Sequence, residues 1–157
     1  MTRKSNMTCY RIGWLAGDEN IIKPYKKLKA NIDSGTCIIM QDAATVALKD
    51  EKHVEEMRKN YKIKRDIVLE AFRHLGLKDC TPDATFYIWQ KVPNNYTSLG
   101  FVKKLLDEKT GIVATPGNFL ANKVNGINPA EGYVRFALVP TIEKTKEAKE
   151  RLRNLEF

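Results

Sequence analysis

The sequence has few cysteines and few histidines, and this scarcity excludes several kinds of site. Cys9, Cys37 and Cys80 are odd in number and never form a C-x-x-C pair, which argues against a zinc site or a disulfide framework. We interpret them as reduced, mostly buried thiols of a cytosolic protein. His53 and His74 lie far in sequence from any acid–nucleophile array, so we interpret both as surface or helix-end residues rather than catalysts.

The sequence also lacks long apolar runs. No apolar segment approaches the ~18 residues that predict a membrane-spanning helix. No apolar signal-peptide core follows Met1. We therefore expect a cytoplasmic protein that has no membrane partner. Its composition, 43% hydrophobic and 29% charged over 157 residues, is typical of a globular domain with a core of its own.

Positive charge is in excess, since 27 lysines and arginines oppose 19 acidic residues and give a net charge of +8. Such an excess could indicate a nucleic-acid partner. The lysines, however, are spread over segments of helical pattern, 23–29 and 143–153, and in the second they alternate with acids. This distribution is typical of solvated helix faces, so we expect no nucleic-acid partner.

Apolar periodicity and turn residues predict an alternation of helices with short strands. Predicted strands cover residues 10–16, 85–89, 112–114 and 133–138. Predicted helices cover residues 19–30, 38–48, 51–75, 98–108 and 141–155. Asp18 is the expected N-cap of the first helix, and Gly76 the expected left-handed end of the third. The pattern predicts an α/β fold, with helices packed on one face of a small sheet as a two-layer α+β sandwich.

Four short motifs follow one another along the chain. They are K-S-N-M-T-C-Y-R-I-G-W from Lys4, P-D-A-T-F-Y-I-W from Pro82, T-P-G-N-F from Thr115 and G-Y-V-R-F-A-L from Gly132. Together they resemble the C-terminal part of class I/II, fold-type-I pyridoxal-phosphate aminotransferases, in the branch that includes aspartate and LL-diaminopimelate aminotransferases. The resemblance extends from about Lys4 to the end of the chain.

This resemblance implies two domains and an activity. Residues 1–48 would be a strand–helix remnant of the large cofactor-binding domain, and residues 49–157 the small C-terminal domain. The activity would be transfer of an amino group from an amino acid to a 2-oxo acid with pyridoxal 5'-phosphate as cofactor, in a homo-oligomer. Family members supply the residues that contact the pyridine ring from their earlier half, so we expect the isolated chain to be inactive.

The resemblance also assigns three site residues. Lys4 would be the catalytic lysine, Arg11 would bind the cofactor phosphate, and Arg135 would bind the substrate α-carboxylate. Lys4 stands one position closer to Arg11 than the family pattern has it. Either one residue has been lost after Ser5, or the similarity begins only around Asn6 and Lys4 is a solvent-exposed terminal lysine.

Arg135 has support from its own surroundings. Its neighbours at 134, 136 and 138 are apolar, which predicts a half-buried strand. A buried guanidinium requires an anion, which could be a substrate carboxylate or a nearby acidic side chain. The alternative to the enzyme hypothesis is therefore a standalone anion-binding or protein-interaction module that keeps the small-domain fold. The identity of the amino donor stays open.

Overall fold

The chain up to Lys59 forms one unit, and Asn60–Phe157 forms a second. The computed structural model that defines them describes residues 4–157. Residues 1–3, at the start of the predicted domain 1–48, thus lie outside the described residues. The predicted boundary between 1–48 and 49–157 stays a prediction.

Helices make up most of the first unit. A 3-10 turn, Thr8–Tyr10, is followed by α1, Glu19–Ile32, and α2, Ile38–Lys49. The Asp18 carboxylate accepts a hydrogen bond from the Asn20 N–H at 2.8 Å, which satisfies one of the free donors at the start of α1. Both helices and the Asp18 cap confirm the prediction from sequence.

The predicted strand over residues 10–16 is wrong. Tyr10 ends the 3-10 turn, Arg11 adopts a left-handed φ of 49°, and residues 11–18 have no regular structure. A strand is stabilised by hydrogen bonds to a neighbouring strand, and within residues 4–157 no segment pairs with this one. The described part of the predicted strand–helix remnant therefore consists of helices joined by irregular segments, without the strand.

The long helix α3, Lys52–His74, confirms the predicted helix 51–75 and its ending. Gly76 has a φ of +69°, which a residue with a side chain rarely adopts. The Gly76 N–H donates to the Arg73 carbonyl, and the Leu77 N–H donates to the Phe72 carbonyl, each at 3.0 Å. This is the Schellman arrangement of a helix end, and it satisfies carbonyls that the helix leaves free.

A three-stranded antiparallel sheet lies in the second unit. Its strands are β1, Tyr87–Lys91, β2, Thr115–Pro116, and β3, Tyr133–Ala137, in the order β1-β3-β2. The strand predicted at 133–138 is confirmed. β1 begins two residues later than predicted, because Thr85 has a φ of +83°. β2 begins three residues later than predicted, because the Ile112 N–H donates to the Leu105 carbonyl and not to a neighbouring strand.

Two more helices complete the second unit, α4, Ser98–Leu105, and α5, Ile142–Arg153. Thr97 and Thr141 cap them by accepting hydrogen bonds from the N–H groups of Gly100 and Lys144. One face of the sheet packs on the helices in an apolar core. Its buried members are Val68, Leu69, Ala71, Phe72, Ile88, Val92, Phe101, Val102, Leu105, Val134, Phe136, Leu138, Leu152 and Leu155. The predicted two-layer α/β arrangement is confirmed.

Candidate functional site

Arg135 lies at the middle of the central strand. On β3 its neighbours Val134 and Phe136 point into the core, with 0% and 6% of their surface exposed. Alternation along a strand places Arg135 on the opposite face, where it is half-buried. Trp89 on β1 and Thr115 on β2 are its register partners. The structure therefore shows the half-buried strand predicted around this arginine.

The guanidinium of Arg135 contacts a hydroxyl and an aromatic ring. Its Nη2 donates to Thr115 Oγ1 at 3.4 Å, and its Cζ lies 4.5 Å from the centre of the Tyr87 ring. Its Nε is buried and has no hydrogen-bond partner. Among residues 4–157, no acidic side chain forms an ion pair with it. Because a buried unpaired donor is unfavourable, this guanidinium is suited to accept an anion as an additional partner.

A tight turn brings the T-P-G-N-F motif against the start of β3. A Cβ on Gly117 would lie 2.4 Å from the Ala130 carbonyl oxygen and 2.6 Å from that of Tyr133, so no other residue fits without movement of the backbone. The Asn128 side chain closes the following loop. Its Nδ2 donates to the Asn118 carbonyl at 3.0 Å, and its Oδ1 accepts from the Ala130 N–H at 2.9 Å.

Ser98 fixes the start of β3 from the other side. Its hydroxyl oxygen, fully buried at the first residue of α4, accepts hydrogen bonds from the N–H groups of Gly132 at 2.9 Å and Tyr133 at 3.1 Å. The sequence interpretation did not identify this role, because the partners are 34 and 35 residues away. Tyr87 and Thr115 were missed for the same reason, since their contact with Arg135 depends on strand register.

Lys4 and Arg11, the other two predicted site residues, both lie in the first unit. The Lys4 amine donates to the Glu51 carboxylate, and this hydrogen bond is the main cause that holds the pKa of Glu51 below its usual value. Arg11 is exposed and takes part in no ion pair within residues 4–157. Its free guanidinium fits a phosphate, which it can bind through two parallel hydrogen bonds. The Lys4 amine, by contrast, is engaged by an acid in this structure.

The two histidines lie at the ends of α3, which agrees with their interpretation as helix-end residues. His53 Nδ1 is 3.0 Å from the Asp50 carboxylate, and the hydrogen bond between them lowers the pKa of Asp50. Among residues 4–157, no cluster of three metal-ligating side chains occurs. In the same part of the chain, none of the helices combines the length and apolar character needed to span a membrane.

A sequence profile of the family "Aminotransferase class I and II" matches residues 2–152. The chain belongs to this family. Among curated relatives, LL-diaminopimelate aminotransferase of Maridesulfovibrio salexigens is 40% identical over 99% of this chain and 38% of its own length. The enzyme of the same name from Aquifex aeolicus is 41% identical over 100% of this chain and 39% of its own. The chain thus spans about two fifths of the length of these relatives and matches their C-terminal portion.

Solved aminotransferase structures contain the same fold. An aminotransferase from Neisseria meningitidis superimposes with a TM-score of 0.82 at 36% identity, covering 96% of this chain and 37% of that protein. An aromatic aminotransferase from Pyrococcus horikoshii gives a TM-score of 0.84 at 31% identity, covering 97% of this chain and 40% of that protein. The fold-type-I assignment predicted from the motifs is confirmed.

Proposed function

We propose that this chain is the part of a pyridoxal-phosphate-dependent amino-acid aminotransferase that binds the substrate α-carboxylate through Arg135. The observation that carries the proposal is the buried, unpartnered Nε of Arg135 on the sheet face opposite the core, within the G-Y-V-R-F motif of an aminotransferase sequence. The planar guanidinium can donate two parallel hydrogen bonds to one carboxylate. That fork orients an amino acid or a 2-oxo acid for transfer of its amino group.

Pyridoxal phosphate is the cofactor that family membership implies, and it supplies an electron sink for the substrate α-carbon. Arg11 would hold its phosphate, since the guanidinium is exposed and free of acidic partners within the described residues. Lys4 would hold and move the proton at its amine once released from Glu51. The family match begins at residue 2, which supports Lys4 as the family lysine over a similarity that begins around Asn6.

Substrate and assembly are proposed at the level of the family. The substrate is an amino acid and its 2-oxo acid partner, recognised by the α-carboxylate, and the enzyme is a cytoplasmic homodimer. Two curated relatives bear the name LL-diaminopimelate aminotransferase, but the matched part is 38–39% of their length. We therefore leave the amino donor open. For the same reason we expect the 157-residue chain alone to show no measurable turnover with aspartate, glutamate, alanine or aromatic donors.

A second candidate function is a protein-interaction module. Four apolar residues of α1 recur every three or four positions and so share one helix face, although none of them is buried. We call them the α1 stripe; they are Ile21, Tyr25, Leu28 and Ile32. Their exposed fractions run from 45% to 70%, which favours a surface that another protein covers.

Carboxylate binding by the chain itself tests the first proposal. We would titrate isotope-labelled protein with 2-oxoglutarate, and with acetamide as an uncharged probe, while recording the Arg135 Nε–Hε signal. We expect 2-oxoglutarate to shift this signal and acetamide to leave its position unchanged. Arg135→Lys should abolish saturable binding, because lysine keeps the charge and loses the fork. Arg153→Lys, on the exposed face of α5, is the control. Binding that survives Arg135→Lys would contradict the proposal.

A further inference from the structure

We infer that Tyr87 is a positioning residue for Arg135, and that its ring holds the guanidinium in the orientation that receives a carboxylate. This inference rests on the proposed function of Arg135. Tyr87 is not among the residues that the resemblance assigns. It is identified by the 4.5 Å distance between the Arg135 Cζ and the centre of its ring. At this distance a guanidinium is attracted by the negative face of the aromatic ring.

Strand register explains why Tyr87 is the ring that Arg135 contacts. Tyr87 pairs with Ala137, two residues beyond Arg135, so the contact is a diagonal one across β1 and β3. Trp89 pairs directly with Arg135 but stacks on Tyr133, with ring centres 5.8 Å apart and planes 17° from parallel. Both contacts follow the same diagonal. The Trp89 ring is therefore committed to Tyr133, and the Arg135 side chain extends over Tyr87.

The Tyr87 ring is itself held by other aromatic residues. Its centre lies 4.2 Å from that of Phe86, and Phe86 lies 5.5 Å from Tyr61 on α3. These rings connect the guanidinium to a helix that contributes to the core. On the other side, Thr115 holds Nη2. The Tyr87 ring contacts the guanidinium face and the Thr115 hydroxyl accepts from Nη2, whereas no described residue accepts from the buried Nε. The guanidinium therefore keeps a hydrogen-bond donor that a carboxylate can satisfy.

Holding the guanidinium in place has a functional consequence. A long arginine side chain loses rotational freedom when it binds, and a fork that is already oriented loses less. Removing the ring should therefore weaken carboxylate binding by about three- to thirtyfold, the range expected for one such contact. The hydroxyl of Tyr87 is not required for this role. Tyr87→Phe should consequently behave like the unchanged protein, whereas Tyr87→Leu should not.

The experiment measures Arg135 without ligand and then with 2-oxoglutarate. In the unchanged protein we expect nuclear Overhauser contacts between Arg135 Hε and the Tyr87 ring protons. Tyr87→Leu should remove the ring-current shift of the Nε–Hε signal, lower its heteronuclear Overhauser value and weaken 2-oxoglutarate binding. Tyr87→Phe should retain the ring-current shift, the Overhauser value and the 2-oxoglutarate affinity of the unchanged protein. Trp89→Leu is the matched control, since it removes a ring from the same face whose stacking partner is Tyr133 rather than Arg135.

The outcomes separate this inference from the proposed function. The role of Tyr87 would be overturned if the Arg135 signal were as ordered in Tyr87→Leu as in the unchanged protein. It would also be overturned if Trp89→Leu disturbed the signal as much as Tyr87→Leu does. Neither result would contradict carboxylate binding by Arg135. A second outcome is that Tyr87→Leu disorders the Arg135 side chain while Arg135→Lys leaves 2-oxoglutarate binding unchanged. This result would support the positioning of Arg135 by Tyr87 and contradict the proposed function. If Tyr87→Leu does not fold, absence of the Overhauser contacts in the unchanged protein overturns the inference.

Discussion

The two units of the chain differ in how much of their apolar surface is buried. Among the described residues up to Lys59, the buried apolar side chains are those of Ala44 and Val54. The second unit contains the whole buried cluster that lies between the sheet and its helices. In the first unit, by contrast, Ile21, Ile32 and Ile38 are each at least 66% exposed. The first unit therefore has helices without a core of comparable size.

This difference shows that an amphipathic pattern specifies which helix face is apolar but does not ensure that another element packs on that face. The α1 stripe is as regular as the apolar face of α3, yet it is exposed, whereas residues of α3 such as Phe72 are buried. Burial in the second unit comes from a sheet whose core-facing residues meet three helices. Five predictions, ordered from the largest expected effect to the smallest, test the comparison.

The largest effect should come from the core of the second unit. Phe72 is 2% exposed, and its ring centre lies 4.9 Å from that of Phe136. Phe72→Ala should lower the free energy of unfolding by about 3–5 kcal/mol, since it removes buried area and leaves a cavity. Leu28→Ala, in the α1 stripe, should change it by no more than about 0.5 kcal/mol. Urea denaturation measures both. Equal losses would show that α1 is packed in solution.

Two glycines provide the second comparison. Gly117→Ala should lower the free energy of unfolding by about 1–3 kcal/mol, because the new Cβ would meet two backbone carbonyls and the turn beside β3 would have to shift. Gly13 in the first unit has no atom within 4 Å of the corresponding position. Gly13→Ala should thus leave the thermal midpoint nearly unchanged. A neutral Gly117→Ala would contradict the close approach of residues 117, 130 and 133.

Cysteine reactivity gives the third comparison. Burial, aided by the charge of Asp79, raises the pKa of Cys80 to about 11. Cys9 and Cys37 are exposed, so the expectation of mostly buried thiols is wrong for these two. At pH 8 the thiolate form of Cys80 is about one part in a thousand. Cys80 should therefore react with a disulfide reagent at least about tenfold more slowly than the exposed thiols. The double variant Cys9→Ser with Cys37→Ser isolates it, and fast labelling of that variant would contradict the prediction.

The same pKa shift has a consequence for stability. The fold favours the protonated thiol of Cys80, so this contribution is complete below the ordinary thiol pKa of about 8.5 and is lost as the pH rises towards about 11. Cys80→Ser should remove that part of the alkaline decline in the free energy of unfolding. An unchanged decline in the variant would show that Cys80 does not cause it.

The smallest effect concerns association through the first unit. We expect the chain to self-associate, since the α1 stripe presents a continuous apolar surface. Ile21→Ser combined with Leu28→Ser should weaken association about tenfold in sedimentation equilibrium. Ala30→Ser, on the opposite side of α1 at 100° per residue, is the control. A clean monomer at high concentration before any substitution would contradict the prediction.

Local signals in the sequence were sufficient for the helices and their ends. Asp18, Thr141 and Gly76 act through hydrogen bonds or backbone conformations within a few residues, so a single sequence contains both the signal and its partner. The strand that contains Arg135 was predictable because alternating apolar residues mark it on their own. The four motifs likewise identified the family, which the profile match confirms.

What the sequence left undetermined depends on partners that are distant along the chain. Residues 10–16 have the composition of a strand, but strand formation requires a neighbour, and none is present in the described residues. Tyr87, Ser98 and Thr115 act at the candidate site through register and packing across 20 to 48 positions of sequence. The sequence by itself determined the helices, their caps and the identity of the arginine. The tertiary structure alone decided what that arginine contacts, because hydrogen bonds and ring contacts between strands exist only after the sheet has formed.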